Sequence, residues 1–306
     1  MKPKVAILLS TYNGEKYLRA QLNTILSQED VDITVFVRDD GSQDGTVNIL
    51  QEFEQNRGVN VDYASNVGWR RSFMDLICKV SEGFDFYAFA DQDDEWEADK
   101  LKRATKKMEE TDSVVYFSNL NLFDTDMNFV GTQFSDDYRP LEKFETAFFE
   151  GVGTGATLAF DQRLLKKIKE YRPNQLLAHD AYVVALARLL YPNQVFYDKV
   201  SKIRYRRHDN NATGFSGEFK PGKVSLAQRY KRYKKNNFKP FSNRAAALIA
   251  GYSNQMSDVH YRYLSLIASA NDNLSSRLRI LFSPKFSTRG VRKTLQIKFR
   301  AIARSL

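Results

Sequence analysis

A single cysteine, Cys78, among 306 residues rules out an internal disulfide and fits a reducing, cytoplasmic compartment. No window approaches the roughly 18 uninterrupted apolar residues of a membrane span, so an integral membrane protein is not expected. Near the amino end, Lys2 and Lys4 precede only the short run Val5 to Leu9, too brief for the apolar core of a secretion signal, and it reads as a first strand. Neither a glycine-rich dinucleotide fingerprint nor a Walker loop follows that strand, which leaves helix-end phosphate binding of those kinds unsupported. There is no internal repeat and no low-complexity tract beyond a basic run near 229–239. Carboxylates are scarce at one end. Residues 219–306 hold 19 Lys and Arg against only Asp258 and Asp272, a net of +17; the whole chain carries +9, leaving −8 for residues 1–218. Parts so different in charge have different partners.

A hydrophobic content of 42% suits one large domain with an appendage. Val5 to Ser10, Ile33 to Val37, Val59 to Tyr63 and Phe84 to Ala90 read as strands. Each is followed by a helical pattern, from about Glu15, Gly45, Ser72 and Trp96. The first helix places Leu18, Leu22, Ile25 and Leu26 on a buried face. Strand-then-helix units in succession predict an α/β fold with a doubly wound, mostly parallel sheet. Val114 to Asn119, Val195 to Tyr197 and Ile203 to Tyr205 read as further strands, Ala181 to Leu190 as an apolar helix, and Ala156 to Phe160 is an apolar run. Glycines at 151, 153 and 155 predict close backbone approach. The expected division is a catalytic part at 1–218 and a basic helical region at 219–306.

The fourth strand ends abruptly in Asp91-Gln92-Asp93-Asp94. Ligands of such sheets bind beyond the carboxyl ends of the strands, which puts these carboxylates on the binding rim. Like charges this close resist joint ionisation unless a cation or strong donors hold them, and a hard divalent metal carrying a phosphorylated ligand meets that demand. The competing explanation is a solvated acidic turn capping the helix near Trp96. A calcium hand is disfavoured, because Trp96 stands where its loop needs glycine.

Two other segments reach the same edge: Ser10-Thr11-Tyr12-Asn13 and Asp39-Asp40-Gly41-Ser42. Tyr12 offers a platform for a base, Asp40 an acceptor for imide or ribose hydrogens, and the Asp91/Asp93 pair a metal for phosphates. Structural alternatives are an Asx turn at Asp39-Asp40 and a helix cap at Asp44.

The order Ser-Thr-Tyr-Asn-Gly (10–14), Asp-Asp-Gly-Ser-Gln-Asp-Gly-Thr (39–46), Asn-x-Gly (66–68) and Ala-Asp-Gln-Asp-Asp-x-Trp (90–96) resembles family 2 glycosyltransferases with the A-type nucleotide-sugar-binding fold. Asp-Gln-Asp-Asp-x-Trp, the later His179-Asp180 and the Tyr-Arg-x-His-x-x-Asn pattern at 205–211 are similar to bacterial rhamnosyltransferases of cell-wall or capsular polysaccharide. The resemblance covers roughly residues 4–215. It implies that Ser10, Tyr12 and Asp40 hold base and ribose, with Arg70 or Arg71 near the nucleotide and Asn13, Asn66 and Gln92 among the nucleotide-sugar-binding residues. By the same resemblance Asp91 faces ribose and metal, Asp93 is the ligand of manganese or magnesium, and His208 closes over metal or pyrophosphate, its structural alternative being a surface histidine in a basic stretch. Asp180 matches the general base, a role that needs one carboxylate within reach of the acceptor hydroxyl; its structural alternative is a helix N-cap. His179 is expected to orient Asp180 or face solvent. Many relatives carry Trp after His-Asp, where this chain has Ala181-Tyr182.

The expected donor is dTDP-rhamnose, with a UDP-hexose as the alternative, and the acceptor a glycan, possible on a polyprenyl carrier. In the basic region, Val291, Leu295, Ile297, Phe299 and Ile302 are expected to line one side of a helix that lies on an anionic leaflet. An oligomer contact is the alternative. The alternative from another class is a nucleic-acid-binding protein acting through the basic tail, since the same charge attracts nucleic acid, but no nucleic-acid fold motif accompanies it and none is expected to bind.

Overall fold

The apolar run that opens the chain is covered on both faces: in β1 (Lys4–Thr11) every residue from Val5 to Leu9 is buried. A strand hidden on both sides reads as an unbroken apolar stretch, and β4 (Phe86–Ala90) repeats the pattern. The computed structural model describes residues 1–150, 153–208 and 238–306. Between β1 and β4 come α1 (Leu18–Leu26), β2 (Asp32–Asp39), α2 (Thr46–Arg57), β3 (Asn60–Tyr63) and α3 (Trp69–Lys79). Leu18, Leu22 and Ile25 are the buried face of α1, at the spacing a helix requires. β1 lies parallel to β2, with Thr11 opposite Asp39, and parallel to β4, with Leu9 opposite Ala90. Three strands therefore end on one edge.

The chain continues through β5 (Glu95–Trp96), α4 (Lys100–Thr111), β6 (Val115–Ser118), β7 (Asn121–Phe123) and β8 (Phe129–Thr132). Then come α5 (Phe144–Ala147), β9 (Ala159–Asp161), α6 (Gln162–Glu170), α7 (His179–Leu190), β10 (Val195–Asp198) and β11 (Ile203–Arg206). The main sheet has the order β10-β6-β9-β4-β1-β2-β3. Only β9 is antiparallel to its neighbours. The helix expected from Trp96 starts at Lys100 instead, because Trp96 is a buried ladder residue, paired antiparallel with Ile203. β5, β11, β7 and β8 make a second, four-stranded sheet. Close approach at the expected glycines is seen at Gly153, where a Cβ would lie 3.3 Å from the Phe117 side chain; Gly151 lies outside the described residues.

Among the described residues the chain forms two compact units. One holds Met1–Arg139, Gly153–Lys169 and 194–208; the other holds 140–150, 170–193 and 238–306. The division expected at 218/219 lies outside the described residues, and the second unit is more than the basic tail, since it also takes α5 and α7. The physical reason is α7, buried along almost its whole length from Tyr182 to Leu189. A helix apolar on all sides needs cover all round, and Tyr182 meets Tyr252 of α8 (Pro240–Tyr252), their hydroxyls 3.3 Å apart. The buried Arg244 of α8 donates to the Phe148 carbonyl and lies over its ring. α9 (Asp258–Ser269) is capped by Ser257 and α10 (Leu274–Phe282) by Asn273; α11 (Val291–Ile302) follows. No helix among the described residues is long and apolar enough to cross a membrane.

Candidate active site

Gln92 ties the first loop to the acidic one. Its Oε1 accepts from the Thr11 hydroxyl (2.6 Å) and the Tyr12 amide (2.8 Å), and its Nε2 donates to the Tyr12 carbonyl (3.2 Å). Gly14 makes room for this contact: a Cβ there would lie 2.4 Å from Gln92 Oε1. Asn13 links the first loop to the second, its Oδ1 accepting from the Gln43 amide (2.8 Å) and its amide donating to Ser42 Oγ (2.9 Å). Ser10 reaches Ser72 of α3, hydroxyl to hydroxyl, at 2.6 Å.

Asp39 folds its own loop, accepting from the Gly41 and Ser42 amides at 3.2 and 3.0 Å, the Asx geometry expected there. Asp44 accepts from the Thr46 amide at 3.0 Å, at the start of α2. Asp40 is buried and its oxygens are committed inside the protein. Its carboxylate is paired with the buried Arg38 guanidinium and accepts from the Val67 (2.9 Å) and Gly68 (2.8 Å) amides. Gly41, at φ +79°, lets that loop pass, since a Cβ would stand 3.1 Å from the Asn66 amide nitrogen. Around this frame Tyr12 is 44% exposed, and Asn66 and Arg71 are exposed. The Arg70 guanidinium lies 4.2 Å from the Trp69 ring centroid.

On the acidic loop Asp91 and Gln92 are half-buried, while Asp93 and Asp94 are buried. His208 Nε2 stands 2.7 Å from Asp93 Oδ2, and its ring packs on Tyr17 at 5.3 Å. Arg206, a residue of the Tyr-Arg-x-His pattern to which the sequence assigned no role, holds this arrangement. It donates to the Asp93 carbonyl (3.1 Å), the Thr125 carbonyl (3.1 Å) and the Glu95 carboxylate (2.9 Å), while its amide donates to Asp94 Oδ1 (3.1 Å). Its guanidinium also lies over Tyr17, 4.6 Å from the centroid. Burial, then the neighbouring Asp93 and Asp91 charges, push the Asp94 carboxyl well above the usual range. Burial lowers the Lys100 ammonium to about 7, against the Asp94 carboxylate; the amine lies 3.6 Å from the Trp96 ring centroid. Neither Lys100 nor Tyr17 was legible as a site residue, because no spacing rule connects them to the loop.

Among the described residues no group of three or more His, Cys, Asp and Glu is arranged to hold a metal alone. The Asp93–His208 pair, with Asp91 on the same loop, is a partial donor set. A small divalent cation bound with a diphosphate takes one or two carboxylates and completes its shell with phosphate and water, and these residues fit that demand.

Asp180 stands in the other unit. It lies in the first turn of α7, whose N-cap is Ala178, and its Oδ1 accepts from the Ala181 amide at 2.6 Å. It is therefore not the capping residue, though a carboxylate in the first turn suits the helix dipole. His179 does not face solvent: it is buried, and burial lowers its pKa to about 4. Burial also lowers Arg244 to about 10, and the Asp180 carboxylate opposes that shift.

The sheet edge thus joins an acidic loop, a histidine and an exposed aromatic ring at the place where α/β enzymes bind their ligands. Residues 6–169 match Glycosyl transferase family 2, and the chain belongs to that family. It is 32% identical over 241 residues, 73% of this chain and 77% of the relative, to dTDP-rhamnosyl transferase RfbG of Shigella flexneri. A putative teichuronic acid biosynthesis glycosyltransferase, TuaG of Bacillus subtilis, is 28% identical over 47% of this chain and 52% of its own length. Among solved structures, S. aureus TarS 1–349 has a TM-score of 0.57 at 16% identity, covering 99% of this chain and 81% of that one. The mannosyltransferase PcManGT from Pyrobaculum calidifontis, in complex with GDP-Man and Mn2+, has a TM-score of 0.53 at 14% identity, covering 99% and 86%. These likenesses bear out the fold and the glycosyltransferase class expected from the four motifs.

Proposed function

We propose that this glycosyltransferase is metal-dependent and inverting, and that it moves rhamnose from dTDP-rhamnose onto a glycan acceptor in cell-surface polysaccharide synthesis. The observation that carries the reading is the acidic loop at the sheet edge, with His208 against Asp93; the donor follows from the similarity to a dTDP-rhamnosyl transferase. Tyr12, Ser10, Asn66, Arg70 and Arg71 face the nucleotide, with Arg70 and Arg71 toward its phosphates. Asp40, Asn13 and Gln92 act mainly by holding the rim in shape, since the Asp40 carboxylate, Asn13 Oδ1 and the Gln92 amide bond within it. Asp93, Asp91 and His208 hold manganese or magnesium, which when bound neutralises charge on the diphosphate. Asp180 takes the proton from the acceptor hydroxyl as the sugar carbon changes partners. A UDP-hexose donor is the second reading, favoured by the fold likeness to TarS in complex with UDP-GlcNAc, TM-score 0.52. The acceptor sits on a lipid carrier, and the enzyme works at the cytoplasmic face of the membrane with its basic carboxy-terminal helices against anionic lipid.

The test is calorimetry of nucleoside diphosphate binding with and without manganese, on the parent and on Asp93→Ala. Metal-dependent binding that disappears in the variant, with the thermal midpoint kept, is expected. Equal affinity in both proteins would remove Asp93 from the site.

A further inference from the structure

α10 and α11 each bury one side and leave a second, strongly apolar side in water. In α10, Ser276, Arg277 and Ile280 turn inward, while Leu274, Leu278 and Phe282 are 61%, 44% and 82% exposed. Spaced four apart, these three form one stripe. In α11, Ile297 and Ala301 are buried, whereas Val291, Leu295 and Ile302 are 77%, 61% and 54% exposed. At about 100° per residue these fall within an arc of roughly 40°. The apolar set expected to share one side of this helix is thus divided between two. Phe286, between the helices, is buried and stacks on Tyr263 at 4.8 Å, and Lys298 of α11 donates to the Ser283 carbonyl at 2.8 Å. The two stripes are presented by anchored helices.

We propose that the exposed apolar stripes of α10 and α11, with the cations that flank them, form an interfacial surface for an anionic lipid bilayer. The inference deepens the reading of a membrane-held acceptor and rests on that reading for its biological purpose. Charge selects the occupant. From Asn273 to Leu306 there is no Asp or Glu; Arg279 and Arg292 are exposed about 60° round their helices from Phe282 and Leu295, Lys285, Lys293 and Arg304 are exposed elsewhere, and Arg289 is paired with Glu150 at 3.5 Å. A second copy docked through the same stripes would set Arg279 and Arg292 against like charges. A nucleic acid would leave five of the six stripe residues unsatisfied, because Phe282 alone offers a base a stacking platform and Leu, Val and Ile offer none. Anionic headgroups over acyl chains satisfy both charge and stripe. Helices of 9 and 12 residues cannot span a bilayer but can lie in its interface.

Co-sedimentation of the full chain with phosphatidylcholine vesicles, alone or mixed with phosphatidylglycerol, tests this. The protein should partition to mixed vesicles and far less to neutral ones, with salt weakening the binding. Phe282→Ser with Leu295→Ser should lower partitioning at least ~10-fold by removing two inserted side chains, and Arg279→Gln with Arg292→Gln, the cations that flank the stripes, roughly 30-fold. All three proteins should keep one thermal midpoint and one sedimentation coefficient. Equal partitioning of the parent to both vesicles, or none to either, overturns the proposal. So does a parent oligomer that Phe282→Ser with Leu295→Ser converts to monomer, since a second copy would then be the occupant. Nucleotide binding measured in parallel separates the readings: vesicle binding without dTDP binding supports this surface and removes the donor assignment.

Discussion

Removing the Asp40 carboxylate should cost stability first and donor binding only as a consequence. The side chains of Asp40 and Arg38 are 2% and 4% exposed, and the remaining contacts of the guanidinium are the Ser65 carbonyl at 3.1 Å and Asp75 at 3.9 Å. Asp40→Ala strips a buried cation of its nearest partner, a change worth about 3–5 kcal/mol. It also frees the Val67 and Gly68 amides. Against a typical domain stability of about 5–15 kcal/mol, that is a large fraction. The protein carries a convenient reporter, because Trp69 and Trp96 are its two tryptophans and both lie in the first unit. Urea titration followed by tryptophan fluorescence therefore reads that unit. A midpoint lowered in proportion is expected for Asp40→Ala. Arg38→Met should also destabilise, and the double variant should cost less than the sum, with coupling of about 1–3 kcal/mol. An unchanged midpoint in Asp40→Ala, together with lost nucleotide binding, would refute the reasoning and return Asp40 to the ligand.

Gln92→Ala removes three hydrogen bonds between the first and acidic loops. It should cost about 2 kcal/mol of stability in the same titration and raise the donor Kd. Asp180→Asn should bind donor normally, measured by calorimetry, and lose transfer, since an amide keeps the first-turn contact but cannot take a proton. Transfer near the parent rate would reduce Asp180 to a structural residue. The buried His179 imidazole titrates at about 4 in the folded chain against about 6.5 unfolded. Between those values the unfolded chain binds the extra proton, so stability falls as pH drops from about 6.5 toward 4, by roughly 3 kcal/mol in all. His179→Gln should flatten that limb of the stability–pH curve; an unchanged slope would show that other groups set it.

The half of the fold that lies on local rules was legible. Apolar runs followed by helical spacing located β1, β2 and β4. Parallel pairing then puts Thr11, Asp39 and Ala90 near one edge, so motifs far apart in sequence read as one site. Long-range pairing was not legible. Trp96 looks like a helix opening until its partner Ile203 is known, and nothing near Arg206 announces that it will grip the Asp93 loop. Asp40 shows the same limit from the other direction, since a carboxylate at a strand end looks available until Arg38 and the 66–68 loop are seen to occupy it. α11 has two apolar arcs, and the sequence cannot say which of them, Ile297 or Leu295, meets the core.

The most direct test of the account is a calorimetric comparison of dTDP-rhamnose, UDP-hexoses and GDP-mannose on the full chain with manganese, followed by transfer to a rhamnose-accepting glycan. dTDP-rhamnose is expected to bind most tightly, chelating the metal to abolish the binding, and rhamnose to be transferred with inverted anomeric configuration. Tighter binding of a UDP- or GDP-sugar, or dTDP-rhamnose affinity unchanged by chelation, would contradict it.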